Sequence, residues 1–156
     1  MSHLESDEDV LAEATRIAAA QVGGTLATVH SEDGTPYVTF VLFQLRDDGS
    51  VLFGSRDYPQ HARNIRATPE VSFLIDNRDV ITIDWRKFDR IVIEGRAERI
   101  DKSEARYEPL MAELRAKNPM AATFTERGDL YCIHPRRLIL RVGIEPEGHI
   151  VDFQHD

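Results

Sequence analysis

Residues 51–78 read VLFGSRDYPQHARNIRATPEVSFLIDNR, and the order of signals in this stretch decides the fold. A short apolar run, Val51–Phe53, ends at a glycine. A helix follows: Asp57 is placed to cap it, Pro59 sits near its first turn, and Gln60 completes a capping-box-like pair. Thr68-Pro69 stops it, because the residue before a proline is driven out of the α region. Val71–Ile75 then returns to β-branched and aromatic residues, the mark of a strand.

Working upstream, Tyr37–Leu45 and Thr25–Val29 are β-prone. Asp33-Gly34 and Asp47-Asp48-Gly49 mark tight turns, so these runs form a meander with Val51–Phe53. Ser6 caps a first helix whose apolar positions are Val10, Ala14, Ile17 and Ala18, with Gly23-Gly24 as its end. Downstream, Val80–Ile83 and Ile91–Ile100 read as strands. Asp101 with Glu104 opens a third helix with the apolar face Tyr107, Leu110, Met111 and Leu114. Pro109 falls inside that pattern and demands a kink or a late start. Leu130–Ile133, Arg137–Val142 and Ile150–Phe153 close the chain as strands. About eight short strands with three inserted helices and short connections imply antiparallel pairing. Such a sheet closes or stacks to protect its edges. There is no regular βαβ alternation, no GxGxxG and no Walker loop, which excludes a Rossmann sheet and a P-loop site.

The 156 residues fit one domain, with a helix over 1–22, a barrel core over 24–142 and a tail over 143–156. A chain of this size buries roughly 68–70% of its unfolded surface and needs no covalent staple. Cys132 is the sole cysteine, so no intramolecular disulfide forms and a reducing cytoplasm suits the chain. The acidic start, MSHLESDEDV, lacks a signal-peptide core, and no apolar run reaches the ~20 residues of a membrane span. The net charge of -8 disfavours nucleic acid and anionic membranes as partners.

The chemistry concentrates between Gly54 and Asn64. A helix start offers unpaired N–H groups and a positive dipole end to an anion. Ser55 adds a hydroxyl and Arg56 a fixed charge, while His61 and Asn64 lie three apart on one helical face. Read alone, the same segment is also a capped surface helix whose His and Asn are solvated. On Tyr37–Leu45, backbone groups and the Thr39 hydroxyl suit the edge of a flat heterocycle, or the strand is simply core. Trp85 either stacks on a ring or fills an interface. Arg90 opens a strand beside the basic Arg86 and Lys87. Cys132 and His134 lack the second pair that a zinc set requires.

Three blocks together, GTLATVHSEDGTPYVTFVLF (24–43), VLFGSRDYPQHARNIRATPEVSFLIDNR (51–78) and RIVIEGRAERI (90–100), resemble the pyridoxamine 5'-phosphate oxidase-like superfamily of FMN-binding split barrels, including its haem-utilisation members. The resemblance implies a mainly β, α+β fold: an antiparallel six-stranded split barrel with peripheral helices. It also implies a homodimer with FMN in clefts between the two copies, and a flavin-dependent oxidoreductase acting on a small planar substrate or electron partner. Thr39, Phe40 and Val41 would lie against the ring, Ser55, Arg56, His61 and Asn64 would hold the phosphate, and Arg90 would meet the flavin. His61 contributes charge only when protonated. The tail PRRLILRVGIEPEGHIVDFQHD lacks the Trp-rich, Arg-His substrate signature of true pyridoxamine phosphate oxidases, so vitamin B6 oxidation is not expected. Two further readings follow from the same fold. One is haem binding or degradation, with His149 or His155 as axial ligand; the other is a non-catalytic dimer holding flavin or the deazaflavin F420.

Overall fold

The computed structural model describes residues 4–56 and 59–154. In chain order the elements are α1 (Asp7–Ala19), β1 (Gly23–Val29), β2 (Pro36–Leu45), β3 (Val51–Ser55), α2 (Gln60–Ala67) and β4 (Glu70–Asp76). After them come β5 (Arg90–Ile100), α3 (Tyr107–Lys117), α4 (Pro119–Thr125), β6 (Asp129–Arg141) and β7 (His149–Asp152). The strands run β3-β2-β1-β4-β5-β6, and β3 also pairs with β6. That pairing closes a six-stranded antiparallel barrel, which removes most edges at once.

β7 lies outside the closed barrel. β3 pairs with Asp129–Ile133 of β6, and β7 with Arg137–Leu140. The two short strands thus occupy successive halves of the long strand β6. The sequence suggests a break in this strand between Ile133 and Arg137, but β6 runs through. Gly95 stands opposite Pro135 and Glu94 opposite Arg137, so Arg136 is an extra, bulged residue. A bulge accommodates a proline that cannot donate to the ladder. A side chain at Gly95 would strike the His134 carbonyl, 2.2 Å from its Cβ position.

Alternation along the strands sends one face inward. Leu26, Phe43, Phe53, Phe73, Ile75, Ile91, Ile93, Ile133 and Leu138 fill the barrel, joined by Val10, Ala14, Ile17 and Ala18 of α1. A second apolar cluster lies outside, where Tyr107, Leu110, Met111 and Leu114 of α3 and Ala121 and Ala122 of α4 cover Leu52, Leu130 and Cys132. Ser6 caps α1 by accepting from the Asp9 N–H at 3.1 Å.

Four sequence expectations change. Gly23-Gly24 does not cap α1, which ends at Ala20 in a right-handed conformation. Both glycines belong to β1, where a Cβ would strike the rings of Phe40 and Phe73 respectively. Val80–Ile83 is not a strand. Asp76 and Asp89 flank a hairpin connection because β4 and β5 already pair as far as Asp76↔Arg90, and the Asp76 and Asp84 carboxylates accept the N–H groups of Arg78 and Arg86, fixing two single 3-10 turns. α3 begins at Tyr107, not at Asp101, so Pro109 sits in its first turn, where no N–H is needed. A fourth helix, α4, is present that the apolar pattern did not reveal. Asp57, the expected cap of α2, is outside the described residues; the observed N-cap is Pro59, with no side-chain bond. Among the described residues no helix is long and apolar enough to cross a membrane.

Phe73 meets Phe43 edge-on at 5.3 Å inside the barrel, and both rings are fully buried. Truncating Phe73 to Ala therefore lowers unfolding free energy by about 3–5 kcal/mol, measurable by urea titration. A loss under 1 kcal/mol would contradict a closed, packed barrel.

Candidate functional site

β2 and β3 are paired over three residues, Phe43↔Phe53 to Leu45↔Val51, and no further. Beyond Phe43 the strands part. From Pro36 to Leu42, β2 keeps β1 on one side and, among the described residues, has no strand on the other. Gly54 and Ser55 of β3 keep β6 on one side and likewise have a free edge. Half the main-chain N–H and C=O groups of a free edge lack a ladder partner. Two such edges face each other across a cleft of about 380 Å³, within the usual range of small-molecule sites.

Phe40, Val41 and Leu42 form one wall, and Gly54, Ser55 and Arg56 the other. Pro59 and His61, at the start of α2, close one end; Ala121 and Phe124 of α4 cover the side. Gly54 permits this closeness, because a Cβ there would sit 1.6 Å from Thr125 Oγ1. Phe40 is 67% exposed although its ring rests on Gly23. The Arg56 guanidinium stacks 4.7 Å above the Phe124 ring, at the mouth.

The polar end is a short relay. Ser55 Oγ donates to the Arg56 carbonyl at 2.9 Å and lies 3.0 Å from His61 Nε2. A hydroxyl has one proton, so His61 fills the donor role toward Ser55, which assigns the Nε2–H tautomer. Burial alone pushes the His61 pKa below its ordinary value. The imidazole is therefore neutral at pH 7, and the site's fixed positive charge is Arg56 together with the α2 N-terminus.

Of the eight residues singled out from sequence, Phe40, Val41, Ser55, Arg56 and His61 line this cleft. Thr39, Asn64 and Arg90 do not. Thr39 shares the side of β2 that carries Val41 and Phe43 but lies nearer Pro36, outside the lining. Asn64 is fully buried and spends its amide inside the chain: Oδ1 accepts from the Ser31 N–H and Gln60 Nε2, each at 2.8 Å, and Nδ2 donates to Thr28 Oγ1 at 2.9 Å. It ties α2 to β1. Arg90 stands opposite Asp76 and Arg141 at the start of β5, its guanidinium 5.3 Å above Phe88. His149 bonds Glu145 at 3.1 Å and is not in the cleft lining; His155 is outside the described residues. Ala121 and Phe124 escaped the sequence reading, though Asn118-Pro119 is a readable start signal: the Asn118 side chain accepts from Met120 and Ala121 N–H, with proline at the first position.

Residues 10–141 match the family model described as pyridoxamine 5'-phosphate oxidase. The chain belongs to this family. A search of curated protein sequences gives no match. Among solved structures, a haem-binding protein from Mycobacterium smegmatis superposes with a TM-score of 0.79 at 22% identity, over 96% of this chain and 60% of that one. A FAD-binding protein from Mesorhizobium loti gives 0.65 at 19%, over 81% and 90%. The haem storage protein HutZ from Vibrio cholerae gives 0.63 at 18%, over 90% and 92%. At these identities the neighbours share the split-barrel fold, and they include both flavin and haem binders.

The neutral imidazole has a measurable consequence. Between its lowered native pKa and about 6.5, its ordinary value, the unfolded chain binds a proton that the native chain does not. Stability through this group is full above about pH 6.5 and falls on acidification below it. His61→Gln should flatten the stability profile between pH 7 and 5, read by thermal melts in matched buffers; an unchanged slope would contradict burial of a neutral His61.

Proposed function

We propose that this family member binds FMN in the cleft between β2 and β3 and works as a flavin-dependent oxidoreductase in a two-copy assembly. The observation that carries the reading is the pair of free strand edges facing each other across an apolar slot. A flat heterocycle with hydrogen-bonding groups along its rim needs apolar walls for its faces and main-chain donors and acceptors for its edge. Phe40, Val41, Leu42 and Phe124 supply the former, and the edges of β2 and β3 the latter. The residues present fit the group. At the mouth, Arg56 and the N–H groups opening α2 suit a phosphate, with Ser55 beside them.

Bound FMN supplies the electron-transfer chemistry, and the chain supplies orientation and electrostatics. Phe40 and Val41 support the ring. Arg56 holds the phosphate at a fixed charge, whereas neutral His61 orients the Ser55 hydroxyl and adds no charge of its own.

Support for a second copy comes from the outer face of the sheet. Thr25 pairs with both Phe40 and Leu74, and Leu74 with Val92. This is an outward row across four strands, flanked by Val38. Val38 and Phe40 are 64% and 67% exposed. A sheet face of this kind buries itself against another layer, and Phe40 joins it directly to the cleft. Packing the face on its copy would place the cleft at the interface and shelter the ring.

Haem is the second reading, because two of the superposing proteins are haem proteins. It calls for an axial side chain. Among the described residues lining the cleft His61 is the one imidazole, and its Nε2 is committed to Ser55. Flavin is therefore preferred, with F420 as the variant that replaces the flavin ring by its deaza analogue.

The test is a titration of purified protein with FMN, riboflavin and haemin, followed by absorbance and flavin fluorescence. FMN should bind to a dimer, and Arg56→Ala should weaken it by about tenfold to a hundredfold, the worth of a charge-assisted hydrogen bond. Riboflavin, which lacks the phosphate, should be unaffected by that change. A monomer that binds no flavin, or one that takes haemin instead, would overturn the reading.

A further inference from the structure

α4 forms one side of the cleft, which Ala121 and Phe124 line, yet little holds this helix down. The apolar side chains it buries fully are two alanines, Ala121 and Ala122, and a methyl group is the smallest apolar surface a side chain can bury. Its hydroxyls bond within the helix: Thr123 donates to the Pro119 carbonyl at 3.1 Å and the buried Thr125 to the Ala121 carbonyl at 2.6 Å. Its far end is fastened at the surface, where Lys102 Nζ donates to the Glu126 carbonyl at 2.8 Å and Arg56 stacks on Phe124. α3 is held more firmly. It buries Tyr107, Leu110, Met111 and Leu114, and its Glu113 chelates Arg46 with bonds of 2.9 and 3.2 Å.

One residue joins the two helices. Asn118 ends α3, with its N–H on the Leu114 carbonyl at 2.9 Å, and its side chain caps α4. The residue before this elbow is Lys117. Its Nζ is buried without a hydrogen-bond partner and lies 3.5 Å from the centroid of Phe43, a ring of the barrel core. The ring face attracts a cation but is no counter-ion, so the charge opposes the packing that buries it.

The neighbouring elements offer that charge no partner. α4, β2 and β3 contain no charged residue. On the turn after β2, Arg46 is taken by Glu113 and lies 3.7 Å from Asp48, and Asp47 is exposed. Glu108 and Arg115 of α3 are exposed too. The Cys132 thiol is pushed up to about 11, chiefly by burial, and stays uncharged at neutral pH. Burial pulls the Lys117 pKa down to about 8, so the amine is mostly charged at neutral pH.

We propose that α4 is a lid over the cleft, hinged at Asn118 and kept ready to open by the buried charge of Lys117. Closed, the lid holds the ammonium group against Phe43 and away from water. Opening at the elbow returns the group to water and lifts Ala121 and Phe124 from the side of the cleft, so that a flat ligand enters between the edges of β2 and β3. The lid rests on the flavin reading only for the identity of that ligand. Its pH dependence has a fixed sign. Below about pH 8 both states are charged and the charge opposes closing in full. Between about pH 8 and the ordinary value of 10.5 the closed state is neutral while the open state is still protonated, so closing strengthens as pH rises.

The experiment is amide exchange of the apoprotein, with residues 118–126 set against the barrel centre at Ile93, because exchange faster than the core reads a local opening. In wild type, 118–126 should exchange ahead of Ile93. Lys117→Met, which keeps the length and removes the charge, should slow exchange over 118–126 by about tenfold at pH 7. Raising the pH from about 7 to about 9.5 should raise protection of 118–126 in wild type, after correction for intrinsic exchange, and leave the Met variant flat. By stopped-flow fluorescence, FMN should associate and dissociate more slowly in the Met variant with its Kd within about twofold, since free and bound protein are both closed. Residues 118–126 exchanging together with Ile93, unslowed in the Met variant, or flat with pH in wild type would overturn the lid and leave the flavin reading standing. Slowed exchange with unchanged FMN association would overturn it as the entry route. Wild type that binds no FMN would overturn the flavin reading, and the exchange comparison would then decide the lid by itself.

Discussion

The structure turns on where hydrogen bonding between β2 and β3 stops. A barrel gains stability by pairing every strand edge, and this one pairs all its strands except along the outer lengths of these two. The pairing ends at Phe43↔Phe53 because β3 is short: it breaks into α2 after Ser55, while β2 continues to Pro36. Everything of chemical interest follows from that mismatch in length. It leaves main-chain donors and acceptors without partners and opens an apolar slot between them.

The surrounding elements hold the gap open without filling it. α4 lies against Gly54, where any side chain would strike Thr125, and its Phe124 ring stacks under the Arg56 guanidinium. α2 is anchored at its far side by Asn64, which is bonded to both Thr28 and Ser31. That anchor fixes where the first turn of α2, with His61, meets Ser55. Charge is distributed sparingly: Arg56 and the neutral imidazole of His61 both line the cleft. In a chain of net charge -8, Arg56 puts positive potential where an anionic planar ligand would need it.

Much of this was legible in the residues. The meander, α2 and its proline stop, and the closure of the sheet follow from turn chemistry and β-branched runs. Phe40, Val41, Ser55, Arg56 and His61 gather as the strand–helix order suggests. What failed did so for local reasons. Val80–Ile83 is β-branched throughout, like a strand, but its would-be neighbours were already paired with each other. Pro135 looks like a strand end because a bulge opposite Gly95 cannot be read from one side of a ladder. Asn64 shares a helical face with His61, yet spacing does not reveal that Thr28 and Ser31 claim its amide first.

The central claim is that the unpaired edges of β2 and β3 are the surface that grips a flat ligand. Amide hydrogen exchange with and without FMN tests it most directly, because unpaired main-chain N–H groups exchange fast until something bonds them. Peptides covering 40–42 and 54–56 should exchange rapidly in the free protein and become protected with FMN, while the strand centres at Leu26 and Ile93 stay protected throughout. Equal exchange at 40–42 and 54–56 in both states, with FMN demonstrably bound, would place the ligand elsewhere and contradict the account.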